Sequence, residues 1–185
     1  MQIFATENLP SVSSGSPRIM SLNIRSILKG VDKIKDNIDI FQEKCDIICF
    51  CETNAKVEKD DELETDDKRK ANVKLDDISL DGFHPPIYKN PYRDSGKGGG
   101  LAVYVNKRFC DCSDITCIKL DDPKSMENKS ESNPPGEFLF VKIAFRVYET
   151  NVNKKSLIKN IIVGNVYRSP SSNHTKFIER LEGQL

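Results

Sequence analysis

Arg18-Ile-Met-Ser-Leu-Asn-Ile24 and Asp46-Ile-Ile-Cys-Phe-Cys-Glu-Thr53 are apolar runs of strand length, and what lies between them decides the fold. Val31, Ile34, Ile38, Phe41 and Cys45 follow one another at steps of 3, 4, 3 and 4, with Lys, Asp and Glu in the gaps. That period puts the apolar residues on one stripe of an amphipathic helix. Strand, helix and strand in sequence make a βαβ unit, because parallel strands need a crossover and the crossover is right-handed. Both strands then finish on one edge of the sheet, with Asn23 at the end of the first and Glu52 at the end of the second. In open α/β sheets that carboxyl edge is where ligands bind.

Outward from this unit the pattern changes. Residues 1–17 end in Ser-Val-Ser-Ser-Gly-Ser-Pro and read as a flexible N-terminal segment. Glu58 to Lys70 is charged except for Leu63 and Thr65, so residues 54–77 read as a solvated insertion loop. From Gly82 the chain is rich in turn residues up to Gly98-Gly-Gly100, then enters the strand Leu101-Ala-Val-Tyr-Val105. Ile115 to Leu120, Phe138 to Val147 and Ile158 to Tyr167 are further strands. The short join Thr150-Asn-Val-Asn153 implies antiparallel pairing of the last two. A helix is expected to begin near Phe177, Ile178 and Leu181, after the turn Tyr167-Arg-Ser-Pro-Ser-Ser-Asn173.

Composition sets limits on function. The 185 residues carry 28 Lys plus Arg and 28 Asp plus Glu, a formal net charge of zero. Bulk charge therefore does not hold this chain on nucleic acid, and any such contact needs a local patch. The stretch around the glycine run is a basic candidate: Lys89, Arg93, Lys97, Lys107 and Arg108 against Asp94, with Tyr88 and Tyr92 available for stacking. No apolar run approaches the roughly 18 residues that cross a bilayer, so no membrane partner is expected. The first twenty residues lack the pattern of a secretory signal, which points to an intracellular protein. Cysteines at 45, 49, 51, 110, 112 and 117 have neither the spacing of paired zinc knuckles nor a nearby His, so reduced thiols in or beside strands are expected.

Three polar residues stand out. A charge directly after five apolar residues, as at Glu52, must meet water, a partner or a metal. Asn23 sits at the matching end of the neighbouring strand. A carboxylate and an amide oxygen are hard ligands of the kind Mg²⁺ sites use. Tyr167 closes an apolar strand, where a phenol either packs or donates to a phosphate oxygen. The glycine run is not a phosphate loop, because a strand rather than a helix follows it. His84 and His174 have no carboxylate partner in the sequence that would mark a catalytic dyad.

Four segments in order carry a resemblance: Ser21-Leu-Asn-Ile-Arg-Ser26, Asp46-Ile-Ile-Cys-Phe-Cys-Glu-Thr53, Lys97-Gly-Gly-Gly-Leu-Ala-Val-Tyr-Val105 and Val163-Gly-Asn-Val-Tyr-Arg-Ser-Pro-Ser-Ser-Asn173. They resemble the endonuclease/exonuclease/phosphatase superfamily, in particular the apurinic-type endonuclease domain that begins non-LTR, LINE-like retrotransposon polyproteins. The resemblance runs from about residue 18 to the end. It implies an α/β fold, a two-sheet β-sandwich flanked by helices. It implies Mg²⁺-dependent hydrolysis of DNA phosphodiesters, with Mn²⁺ as an alternative ion, no small-molecule cofactor, and a nuclear location for a retrotransposon enzyme. Asn23 matches the active-site Asn that helps hold metal and phosphate, Glu52 the metal-binding Glu, and Tyr167 the Tyr at the phosphate.

The family continues with G-D-F-N and S-D-H segments, and neither occurs in this sequence. Residues 18–185 are thus expected to be the N-terminal part of such a domain, incomplete at the C-terminus and inactive alone. Two rival readings are a decayed or domesticated fragment that binds nucleic acid or a partner without catalysis, and a superfamily phosphatase acting on small phosphates.

Overall fold

The computed structural model describes residues 16–57, 72–91, 99–119, 136–148 and 156–184. Among them are two main β-sheets and three α-helices. The first sheet has strand order β1-β2-β6-β5, with β1 Ile19–Asn23, β2 Ile47–Cys51, β5 Ile87–Lys89 and β6 Leu101–Val105. β1 and β2 are parallel, with Asn23 opposite Cys51. β6 runs antiparallel to both β2 and β5. The second sheet is antiparallel, with β7 Ile115–Ile118, β8 Glu137–Tyr148 and β9 Ser156–Tyr167 in that order. The sheets stack as a sandwich, and the helices flank it, as expected.

Alternation along the central strands builds two cores. Ile48, Phe50, Ala102 and Tyr104 face the helical layer, where Ile27, Val31 and Ile34 meet them. Ile47, Cys49, Leu101, Val103 and Val105 face Leu139, Val141, Ile143 and Val163 of the second sheet. A strand covered on both faces reads as an unbroken apolar run, which is why β2 and β6 stand out in the sequence. The Tyr104 hydroxyl is satisfied by the Ile78 carbonyl at 2.8 Å, so its burial leaves no polar group unpaired.

The crossover differs from the single expected helix. It forms α1, Ile27–Lys35, and α2, Ile38–Lys44, broken at Asp36–Asn37. The Asn37 side chain donates to the Lys33 carbonyl at 3.3 Å, and such a local bond competes with the helical ladder. β1, whose apolar run suits a buried strand, is instead an edge strand with Ile19 and Leu22 exposed, because only β2 flanks it among the described residues.

The insertion expected over 54–77 is tied down at both ends. β3 Lys56–Val57 pairs in parallel with β4 Asn72–Val73, and Val57 and Val73 are buried in the helical core. Asn90 bonds both backbone groups of Val57, at 2.8 and 3.2 Å. The charged middle, 58–71, lies outside the described residues, as do residues 1–15 of the expected flexible lead-in.

At the opposite end of the strands, the Asp46 carboxylate bonds the Arg18 backbone and guanidinium at 2.8 and 3.0 Å and Arg108 at 3.2 Å. Helix α3, His174–Glu182, starts on an Asn173 cap and stacks Phe177 on Phe138 with ring centroids 5.5 Å apart.

Candidate functional site

The three residues singled out in the sequence meet one rim of the sandwich. Asn23 is exposed at the last position of β1, opposite Cys51, the residue before Glu52. Glu52 follows β2 and is half-buried. Tyr167 ends β9 on the other sheet, and its hydroxyl donates to Glu52 Oε1 at 2.7 Å. The bond joins residues 115 apart in sequence and closes the gap between the sheets. Glu52 Oε2 meets no hydrogen-bonding partner among the described residues.

The backbone here is unusual. Glu52, Asn54 and Arg25 have φ of 54°, 52° and 54°, a left-handed conformation uncommon outside glycine and asparagine. Such residues persist only where surrounding bonds over-determine them, and they cluster at functional sites. The bonds are present. Ile24 N–H donates to the Cys51 carbonyl at 3.1 Å and Ile27 N–H to the Thr53 carbonyl at 2.8 Å. Thr53 and Asn54 N–H groups donate to the Gly100 and Gly99 carbonyls at 3.2 and 3.0 Å. The Asn54 amide reaches the Arg25 carbonyl. The loops after β1 and β2 are therefore one bonded unit, seated on the glycine turn before β6.

Several nearby side chains escaped the sequence reading. Asn165 is buried between the sheets. Its amide donates to the Phe50 and Ala102 carbonyls at 2.9 and 3.1 Å, and its oxygen accepts from the Cys51 thiol at 3.1 Å. Glu137, opposite Tyr167 on β8, is buried and accepts the Gly100 N–H. Burial pushes the Cys51 thiol up, and the Glu52 and Glu137 charges push it further, a direction that disfavours the reactive thiolate. Strand parity could have found Asn165 and Glu137, since both fall on the inward-facing positions of apolar strands.

The basic stretch is described only in part. Tyr88 is partly buried against the helical core; its hydroxyl bonds Thr53 and the Ala55 carbonyl, and burial pushes it up to about 12. Arg108 is occupied by Asp46 and the Glu43 carbonyl. Lys89 bonds the Phe138 carbonyl at 3.1 Å. Tyr92, Arg93, Asp94 and Lys97 lie outside the described residues. His84 Nε2 pairs with the Cys110 carbonyl at 2.7 Å, and His174 is exposed at the start of α3.

A fit for a cation rests on oxygens. Among the described residues no group of three or more His, Cys, Asp or Glu is placed to hold a metal. Glu52, whose second oxygen meets no hydrogen-bonding partner among the described residues, and Asn23, exposed at the matching end of β1, would offer a carboxylate and an amide oxygen to a cation that keeps most of its waters. Mg²⁺ is commonly bound through one or two carboxylates plus substrate phosphate.

No protein-family model matches the sequence, and no curated protein matches it. Among solved structures the chain is similar to the catalytic domain of APE2 from Xenopus laevis, at 20% identity and a TM-score of 0.42. The similarity covers 90% of this chain and 49% of that one, so the chain spans about half the length of that structure. Among the described residues no helix is long and apolar enough to cross a membrane.

Proposed function

We propose that this chain supplies the cation- and phosphate-facing pole of a Mg²⁺-dependent site that hydrolyses DNA phosphodiesters, of the endonuclease/exonuclease/phosphatase type. The observation that carries the reading is the Tyr167–Glu52 bond across the two sheets, at the edge where Asn23 also ends its strand. The four motifs in order support it, since Asn23, Glu52 and Tyr167 are the residues they single out. Acting on DNA, the protein works inside the cell, in the nucleus where there is one.

In this reading Glu52 and Asn23 hold the ion. When bound, Mg²⁺ offsets charge that builds on phosphate oxygens. Tyr167 keeps the Glu52 carboxylate turned toward the rim; its one proton is used in that bond, so the phenol donates to a phosphate seated there only on leaving Glu52. The left-handed turn at Glu52 fixes where that carboxylate can go, so binding spends little on ordering it.

A hydrolytic site also needs a group that positions and deprotonates water, which the family's G-D-F-N and S-D-H segments provide. Losing a general base costs about 10²–10⁴-fold, so this chain is expected to leave supercoiled plasmid intact in Mg²⁺. The reading itself is tested by Mn²⁺ added to isotope-labelled protein. Paramagnetic broadening should reach the side chains of Asn23, Glu52 and Tyr167 first and vanish in Glu52→Ala. Broadening that begins elsewhere, or survives in Glu52→Ala, would sink it. Plasmid nicking that depends on Glu52 would show that another residue of this chain completes the site.

A further inference from the structure

Glu137 is a buried carboxylate that the reading above does not use, and the glycine run before β6 is a motif it does not absorb. The structure joins them. Gly99 and Gly100 have φ of 93° and 84°, conformations that cost a residue with a Cβ dearly. A methyl group on Gly99 would come within 3.0 Å of the Glu137 carboxyl carbon. One on Gly100 would run into the Thr53 hydroxyl and come within 3.1 Å of Pro91. The glycines thus open a seat that admits Glu137 from the second sheet and Thr53 from the loop after β2.

The seat is bonded on both sides. Gly100 N–H donates to Glu137, while the Gly99 and Gly100 carbonyls accept from Asn54 and Thr53. One peptide unit therefore links β8 to the turn whose first residue is Glu52. On the neighbouring strand Tyr167, the cross-strand partner of Glu137, bonds the Glu52 side chain. Cross-strand neighbours of the second sheet thus hold this turn twice, Glu137 through the glycine backbone that binds Thr53 and Asn54, and Tyr167 through the Glu52 carboxylate.

We propose that Glu137 is a positioning residue, a clamp on the Gly99–Gly100 turn that sets the left-handed Glu52–Asn54 segment and hence the aim of the Glu52 carboxylate. Its relevance to cation binding rests on the reading above; the clamp itself does not. The mechanism depends on reach. Glutamine keeps the length and an acceptor oxygen. Aspartate keeps the charge but falls one methylene short of the Gly100 N–H.

The test is amide hydrogen exchange on the full chain, comparing the parent with Glu137→Gln, Glu137→Asp and Glu137→Ala. Local opening is read amide by amide. Exchange at Thr53, Asn54 and Gly100 should rise at least about tenfold in the Asp and Ala variants and stay within about threefold of the parent in the Gln variant, with Val141 and Ile143 on the same strand unmoved. Should the Ala variant fail to fold, the Gln–Asp contrast still decides. Equal loss in Gln and Asp, retention in Asp with loss in Gln, or a uniform rise along β8 would each overturn the clamp. Mn²⁺ broadening at Glu52, run on the same samples, should follow the exchange pattern. If the variants show the exchange pattern but the parent shows no broadening, the cation reading fails and the clamp stands. If it shows broadening and the variants leave exchange at the three amides unchanged, the clamp fails and the cation reading stands.

Discussion

Replacing Asn165 with leucine removes the polar strut between the sheets while keeping its branched heavy-atom skeleton, so the loss is not confounded by a cavity. In the parent the Asn165 amide donates to the Phe50 and Ala102 carbonyls at 2.9 and 3.1 Å, which sit opposite each other on β2 and β6. Both bonds are buried, and the leucine that takes their place offers the carbonyls nothing. At about 1 kcal/mol net for each neutral hydrogen bond, the two give about 2 kcal/mol. The Cys51 thiol also loses its acceptor, a minor loss because S–H is a weak donor. For a chain of this size each kcal/mol moves the melting temperature by about 2–4 °C, so the variant should melt about 4–8 °C lower. Urea unfolding followed by far-ultraviolet circular dichroism measures the change. The midpoint should fall while the slope holds, since the surface exposed on unfolding is the same. A loss under about 0.5 kcal/mol would refute the reasoning, because it would mean that the carbonyls are satisfied without Asn165.

Gly100→Ala should destabilise the chain by about 1–3 kcal/mol, through left-handed strain added to the collision with Thr53, and parent-like urea unfolding would disprove the seat described for that turn. Burial by itself would raise the Asp46 carboxyl, but the bonds from Arg18 and Arg108 outweigh it and hold the group below its usual range. A carboxyl lowered in the folded state stabilises above its unfolded value, about 3.9, and that contribution disappears as pH falls through the folded value. Asp46→Asn should therefore have a flatter stability profile below about pH 4, and parallel profiles for parent and variant would argue against the assignment. Of the six cysteines only Cys112 and Cys117 are exposed, while burial pushes Cys49 up to about 12. A thiol reagent under native conditions should label these two quickly and Cys49 only with unfolding; fast labelling of Cys49 would contradict its place between the sheets.

The sequence showed most clearly what burial on both sides of a strand imposes. β2, β6 and the β8–β9 hairpin announce themselves as apolar runs, and the 3–4 spacing marks the crossover. The break at Asp36–Asn37 was hidden, because the apolar period runs through it undisturbed while a local side-chain bond interrupts the backbone ladder. β5 was hidden because three residues among prolines carry no period, and its existence depends on β6. Glu52 and Asn23 were legible as polar ends of adjacent strands. Their conformation was not. The left-handed turns at Arg25, Glu52 and Asn54 are set by bonds to Gly99, Gly100 and one another, which no local pattern encodes. Glu137 was passed over because a charge opening a strand looks like a surface residue unless the inward parity of Leu139 and Val141 is carried back to it.

The bond between Tyr167 and Glu52 spans 115 positions of the chain, whereas β8 and β9 pair with each other over a short connection. Local contacts close quickly, and distant ones wait on the entropy of closing a long loop. During folding the twelve-residue strands of the hairpin can zip together well before they find β2 and β6. The rim that gathers Asn23, Glu52 and Tyr167 exists only after that docking, so its formation follows that of the hairpin. A tyrosine signal from residue 167 would then serve as a clock for the docking of the two sheets, lagging the far-ultraviolet signal of the strands during refolding.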